Sequence, residues 1–113
     1  MHRFLVPLLL PILVMQPSHA IPIATFLRQA QNEQRAYAAG NAAMLAFTEG
    51  MAKNPTRMSC ITGWYSGKGE DELFAALRLD PAAFKTRFGF DRDGNNGLVE
   101  LVVMRLANEA CPK

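Results

Sequence analysis

The sequence predicts an all-α fold, a small orthogonal bundle of four to five helices stapled by one disulfide. Three observations carry this. Apolar residues recur at helical spacing along most of the chain, and no alternating pattern of any length competes. Asn54-Pro55, Asp80-Pro81 and Gly89 punctuate the chain as helix ends and restarts. Cys60 and Cys111 are the only cysteines, so one intramolecular pairing exists. At 113 residues the chain holds one domain. Its 12 basic and 10 acidic side chains lack the basic excess of a polyanion binder.

The first twenty residues read as an address. Met1-His2-Arg3 is a short basic start, and Phe4 to Met15 is an apolar run. Ser18 and Ala20 supply the small residues that a signal peptidase reads, which places cleavage after Ala20. A membrane span needs roughly 20 apolar residues. This run is shorter and is interrupted by Pro7 and Pro11. The expected organisation is a cleaved signal peptide, 1–20, and a single helical domain, 21–113, in the periplasm or secreted. Cleavage removes Arg3 and both histidines, His2 and His19. The remaining chain cannot carry a Ser-His-Asp triad or a histidine zinc site.

An oxidising compartment favours pairing of Cys60 with Cys111. The loop so closed spans about 50 residues, for which chain entropy assigns roughly 4 kcal/mol. The spacing excludes a C-x-x-C redox pair, so the bridge reads as structural.

Pro22 to about Lys53 reads as helix. Phe26, Ala30, Ala36, Ala39, Ala43, Phe47 and Met51 form its apolar side, with a break expected at Gly40-Asn41. The stretch TRMSCITGWYSGKGED, 56–71, has three glycines and no helical period, and reads as a connection. Within it Trp64 reads as a core plug over the disulfide, with an exposed partner contact as the alternative. Glu70, Asp71 and Glu72 fit the positive end of the next helix, which buries Leu73, Phe74, Leu77 and Leu79. Asp80 caps a further helix with Pro81 at its first position and Phe84 and Phe88 one turn apart, and Gly89 ends it. The last helix runs from about Gly97 to Ala110. Its stripe is Val99, Val102, Val103, Leu106 and Ala110.

One segment resembles a ligand loop. Asp91, Asp93 and Asn95 occupy positions 1, 3 and 5 of a degenerate calcium loop, with Leu98 at position 8. Asn96 replaces the tight-turn glycine, and Val102 stands where the bidentate acid belongs. The segment therefore reads as a turn leading into a helix, with no metal. Ser66-Gly67-Lys68-Gly69 lacks the frame of a phosphate loop. No nucleophile motif is present, so neither a cofactor nor an enzymatic activity is expected.

AYAAGNAAMLAF at 36–47, Cys60 followed by Gly63, LFAALRLDPAAF at 73–84 and LVVMRLANEACPK at 101–113 make up an outline over about the last two-thirds of the chain. In these pieces the pattern resembles the Rap/Tai-type periplasmic immunity proteins of type VI secretion. The chain differs in having no second cysteine pair, in the order Cys111-Pro112, and in FGFDRDGNNG at 88–97. The outline also resembles HdeA-type acid chaperones. The first resemblance implies a protein that binds and blocks a partner protein, a toxin or effector. The second implies an acid-stress chaperone, and an accessory role in a secretion or conjugation apparatus is a further alternative. The expected partner-binding residues are Trp64, Tyr65, Lys68, Arg92 and Asn95, on irregular segments that commonly carry recognition. No nucleic acid, and no membrane after signal cleavage, is expected as a partner, while a homodimer is compatible with this reading.

Overall fold

The computed structural model describes residues 20–113. The expected signal peptide therefore lies, apart from Ala20, outside the described residues. Six α-helices follow in order: α1 Ile23–Leu27, α2 Gln31–Met51, α3 Pro55–Trp64, α4 Glu70–Leu77, α5 Pro81–Phe88 and α6 Val99–Ala110. A π-helical turn, Tyr65–Gly69, joins α3 to α4 without a gap. Residues 55–77 are thus one rod, and the architecture is an all-α bundle of five rods. Among the described residues the only strand-like pairing is an isolated antiparallel bridge between Pro22 and Leu98. The Ile23 amide donates to the Gly97 carbonyl at 2.8 Å, and the Val99 amide to Ile21 at 3.2 Å. These bonds tie the start of the domain to the start of α6.

The capping signals act as the sequence suggests. The Asp80 carboxylate accepts from the amides of Ala82 and Ala83, each at 3.0 Å, and Pro81 opens α5. Gly89 takes φ +87°, the left-handed conformation that ends a helix at little cost for glycine. Asn54 accepts from the Arg57 amide at 3.1 Å and Pro55 opens α3. The end of α2 is less expected. Asn54 donates to Glu49 and Lys53 to Gly50, a Schellman closure, with Lys53 at φ 61° where glycine is usual.

Two expectations about helix ends are corrected. The early break falls at Arg28–Ala30, not at Gly40-Asn41, through which α2 runs unbroken. The Gln34 amide supports this break by donating to the carbonyls of Phe26 at 3.1 Å and Gln29 at 3.2 Å. The stretch 56–71 is helical rather than a connection. Glu70, Asp71 and Glu72 consequently sit inside a continuous rod, where no free helix N-terminus exists to be complemented.

The core gathers Ile23, Phe26, Ile61, Leu73, Leu77 and Phe84 around Val99, Val102 and Val103 of α6. Phe26 meets Phe74 edge-on, with ring centroids 5.9 Å apart. Phe84, Phe88 and Phe90 cluster at the α5 turn. The α6 stripe is buried as expected, except that Ala107 takes the place given to Ala110, which is exposed. Cys60 and Cys111 are disulfide-bonded with Cα atoms 5.9 Å apart. The bridge holds the end of α6 against the middle of α3.

Candidate functional site

Helix α2 is apolar on two sides, and the smaller side chains are the buried ones. Ala38, Ala42 and Ala46 face the core, with Tyr37, Asn41 and Leu45 half-buried beside them. Ala36, Ala39, Ala43, Phe47 and Met51, the stripe expected to be buried, are all exposed. The physical reason is fit. An alanine face lets α2 lie close against the α3 rod, a spacing that Phe47 and Met51 would hold open. The phase of the helix follows that packing and turns the bulk outward.

The outward face is large and uncharged. Met44 is 63% exposed, Phe47 59% and Met51 69%. Between Arg35 and Glu49 the helix carries no charged residue. Arg35 is engaged by Glu70 at 3.1 Å, and Glu49 by Arg57 at 3.2 Å. A groove of about 380 Å³ runs along this face beside α3. Ala39, Ala43 and Phe47 line one wall, and Met58, Thr62 and Tyr65 the other. Leu101 and Met104 form a smaller exposed apolar pair on α6. Scattered apolar residues are ordinary on a surface, whereas three large ones on successive turns of one helix are less so.

The residues expected to bind a partner fall on two elements. Trp64, Tyr65 and Lys68 share one helical turn. The rings of Trp64 and Tyr65 lie 5.9 Å apart, and Glu72 accepts from the Trp64 indole at 2.9 Å while pairing with Lys68 at 3.8 Å. Trp64 is only 7% exposed, so the core-plug reading describes it and the exposed-anchor alternative does not. Together with Cys60 it lines a small cleft next to the disulfide. Tyr65 is half-buried at the groove. Burial, and next the negative charge of Glu70, push its phenol up to about 12, against a partial pull downward from Arg35. Lys68 is exposed. Arg92 and Asn95 belong instead to the turn between α5 and α6. Arg92 donates to the Leu79 carbonyl at 2.6 Å and pairs with Asp93 at 3.0 Å, so it holds this turn to the end of α4. Asn95 is exposed.

The carboxylates of the turn are engaged by neighbouring cationic side chains. Asp91 pairs with Lys85 at 3.2 Å, and the hydrogen bond from Arg92 holds the Asp93 carboxyl below its ordinary range. Glu100 turns away to Tyr37 and Asn41. Among the described residues no group of three His, Cys, Asp or Glu is placed to hold a metal.

Sequence reasoning missed Arg57. Its guanidinium is buried, reaches Glu49 of α2, and donates to the Cys111 carbonyl and to Asn108. The lone basic residue in the Pro55–Trp64 segment was its only trace. It also missed the outward phase of Met44. No helix among the described residues is long and apolar enough to cross a membrane. Comparison of the chain with family models, with curated proteins and with solved structures finds no match in any of the three.

Proposed function

We propose that this chain is an exported, non-enzymatic protein that works by contact, binding and blocking a partner protein as the immunity-protein resemblance implies. The observation that supports this is the exposed, charge-free face of α2. An apolar patch around Phe47 can be desolvated with no ion left unpaired, which is the composition of an interface centre. A disulfide-bonded bundle with no membrane-spanning helix among its described residues is compatible with a periplasmic or secreted setting. Blocking then follows from occlusion: a rigid helix edge covers the partner's working surface and is not turned over.

The test is capture from periplasm with tagged, exported chain, followed by an activity assay of the captured protein. The expected result is a stoichiometric partner whose activity falls on binding, and its loss with Phe47→Asp. A partner captured equally by Phe47→Asp, or one whose activity is unaffected, overturns the proposal.

A second reading, an acid-stress chaperone, draws on the carboxylates that join elements. Arg35–Glu70 links α2 to α4, and Arg87–Glu109 links α5 to α6. The hydrogen bond from Arg87 keeps Glu109 ionised below the ordinary carboxylate range. Strong acid releases such pairs and loosens the bundle. Failure to protect an unfolding client from aggregation at about pH 2–3 removes this reading.

A further inference from the structure

We propose that Cys60 is a modification site, the sulfur at which a small peptide thiol of the glutathione class opens the Cys60–Cys111 bridge and forms a mixed disulfide. The bridge is then a substrate of thiol exchange and not a redox catalyst, which its spacing excludes. The site does not depend on the blocking role.

The two halves of the bridge are unequal. Cys60 is exposed, whereas Cys111 is 3% exposed. A thiolate must reach a sulfur to displace its partner, so access decides which of the two is attacked, and exposed bridges are the labile ones. A cleft of about 370 Å³ lies at Cys60, room for a tripeptide. Gly63 and Gly67 of the same rod form one wall, Ala110 of α6 the other, and Trp64 and Lys68 complete it. Side chains three and seven positions beyond a helical residue share its face and would lie over it. Here both positions are glycine, and a Cβ at either would meet nothing within 4 Å, so the approach to Cys60 is open. On the α6 side the Ala110 carbonyl oxygen stands 3.8 Å from the Cys60 sulfur, and its partial negative charge turns a thiolate toward the glycines. Lys68 brings an ammonium to the cleft, paired with Glu72 at 3.8 Å. Glu72 is shared with the Trp64 indole, and the ammonium keeps further donors for the carboxylates of a peptide thiol. A cation beside an arriving thiol also favours the thiolate, which is the nucleophile.

In the first step the thiolate bonds to Cys60 Sγ as the Cys60–Cys111 bond breaks. The electron pair leaves on Cys111 Sγ, which takes a proton from water. One disulfide is exchanged for another, with no net change in oxidation. A second thiolate attacks the small-molecule sulfur of the mixed disulfide and displaces Cys60 as a thiol. Two thiol molecules are then oxidised to their disulfide and the chain is reduced by two electrons. While the bridge is open, the covalent tie between α6 and α3 is absent.

The test uses the full chain with its bridge intact, reduced glutathione as the probe, and a maleimide quench. Trp64, the sole tryptophan, lines the cleft and supplies a continuous emission signal. Peptide mass spectrometry should place glutathione on Cys60 and maleimide on Cys111. The rate should be first order in glutathione and flat in urea below the unfolding transition, because the folded chain is attacked. Gly63→Leu and Gly67→Leu should each slow it at least about tenfold by covering the sulfur. Gly63→Ala, which favours the helix as leucine does but is short, should slow it less than about twofold. Glutathione should outpace cysteamine, a cationic thiol, after correction for thiolate fraction, and Lys68→Met should remove that advantage. Glutathione on Cys111, a rate that saturates in thiol and climbs with urea, or a rate unmoved by both leucine variants overturns the site. Equal corrected rates for glutathione and cysteamine overturn the choice of a carboxylate-bearing thiol.

Discussion

Arg57 and Cys111 are bound to one another across the bundle: the buried guanidinium donates to the Cys111 carbonyl. The same residue, Cys111, is tied through its sulfur to Cys60, one helical turn beyond Arg57. Two neighbouring side chains of α3 thus grip one residue at the end of α6. The carbonyls that end a helix have no partners of their own, and an arginine is suited to meet them. Glu49 closes the arrangement by pairing with the guanidinium from α2. Three rods converge on this one buried ion.

Removing Arg57 should be among the most costly single changes in the domain. Arg57→Ala leaves the Cys111 carbonyl and Glu49 without their cation, and a loss of about 3 kcal/mol is expected in urea unfolding. Arg57→Lys should recover less than half, because one ammonium cannot reach Glu49, Asn108 and Cys111 together as the planar fork does. A loss under about 1 kcal/mol for Arg57→Ala would show that the grip is ornamental.

The disulfide and Arg57 should be coupled. The bridge spans 51 positions of sequence. Replacing both cysteines by alanine should cost roughly 4 kcal/mol by the chain-entropy account. Without the bridge the end of α6 frays, and the carbonyl that Arg57 holds is no longer fixed in place. The loss from Arg57→Ala should then be smaller than in the bridged protein, by at least about 1 kcal/mol in a double-mutant cycle. Strict additivity would mean that the two ties act on independent parts of the fold.

These relationships mark what the sequence makes legible. Asp80-Pro81 and Gly89 are local signals acting over a few residues, so α5 was readable in place. The α6 stripe was readable because Val99, Val102, Val103 and Leu106 recur at helical spacing, even with Leu101 and Met104 exposed on the other side. The phase of α2 was not. A helix that is apolar on most of its circumference fits two phases equally well, and only the close packing of Ala38, Ala42 and Ala46 selects one. The break at Arg28–Ala30 has no glycine or proline to announce it, and its support comes from Gln34, five residues on. The rod at 55–77 was hidden because its π-turn inserts a residue into the helical period just where three glycines suggest a loop. The site suffered most from this. From sequence alone Trp64 and Tyr65 read as loop residues and Phe47 as a core residue, whereas the first two sit in a helical rod and the third is exposed.

Lys53 offers a stabilising change. It occupies the left-handed position of the Schellman closure at φ 61°, where a side chain costs roughly 1 kcal/mol. Lys53→Gly should raise stability by about 0.5–1 kcal/mol in thermal unfolding, since glycine takes this conformation without the strain of a Cβ. A destabilised Lys53→Gly would show that the closure is held by the side chain rather than tolerated despite it.

Gly69 and Gly63 should respond in opposite directions to the same methyl group. A Cβ at Gly69 would lie 2.8 Å from two indole carbons of Trp64 and 2.9 Å from its carbonyl oxygen. Gly69→Ala should cost about 2 kcal/mol and shift the Trp64 fluorescence, because the indole must leave its place beside Glu72. At Gly63 the methyl meets nothing within 4 Å. Gly63→Ala should stabilise by about 0.5–1 kcal/mol through helix propensity alone. Equal effects at the two positions would contradict the placement of Trp64 over the π-turn.

Tyr65 should make the fold sensitive to alkali. Its phenol is raised from the ordinary 10.0 to about 12, first by burial and then by Glu70. The neutral form is the one the folded state keeps. Below pH 10.0 the phenol is protonated whether folded or not, and the full stability is present. Between pH 10.0 and about 12 the unfolded chain loses the proton and the folded chain does not, so stability falls as pH rises through that window. Ultraviolet titration should show one phenol ionising near 12, absent in Tyr65→Phe. In urea the same phenol should return to the ordinary value. The alkaline loss of stability should be milder in Tyr65→Phe than in the parent. If the two proteins lose stability in parallel, the half-buried phenol at the edge of the α2 groove does not govern the alkaline limb.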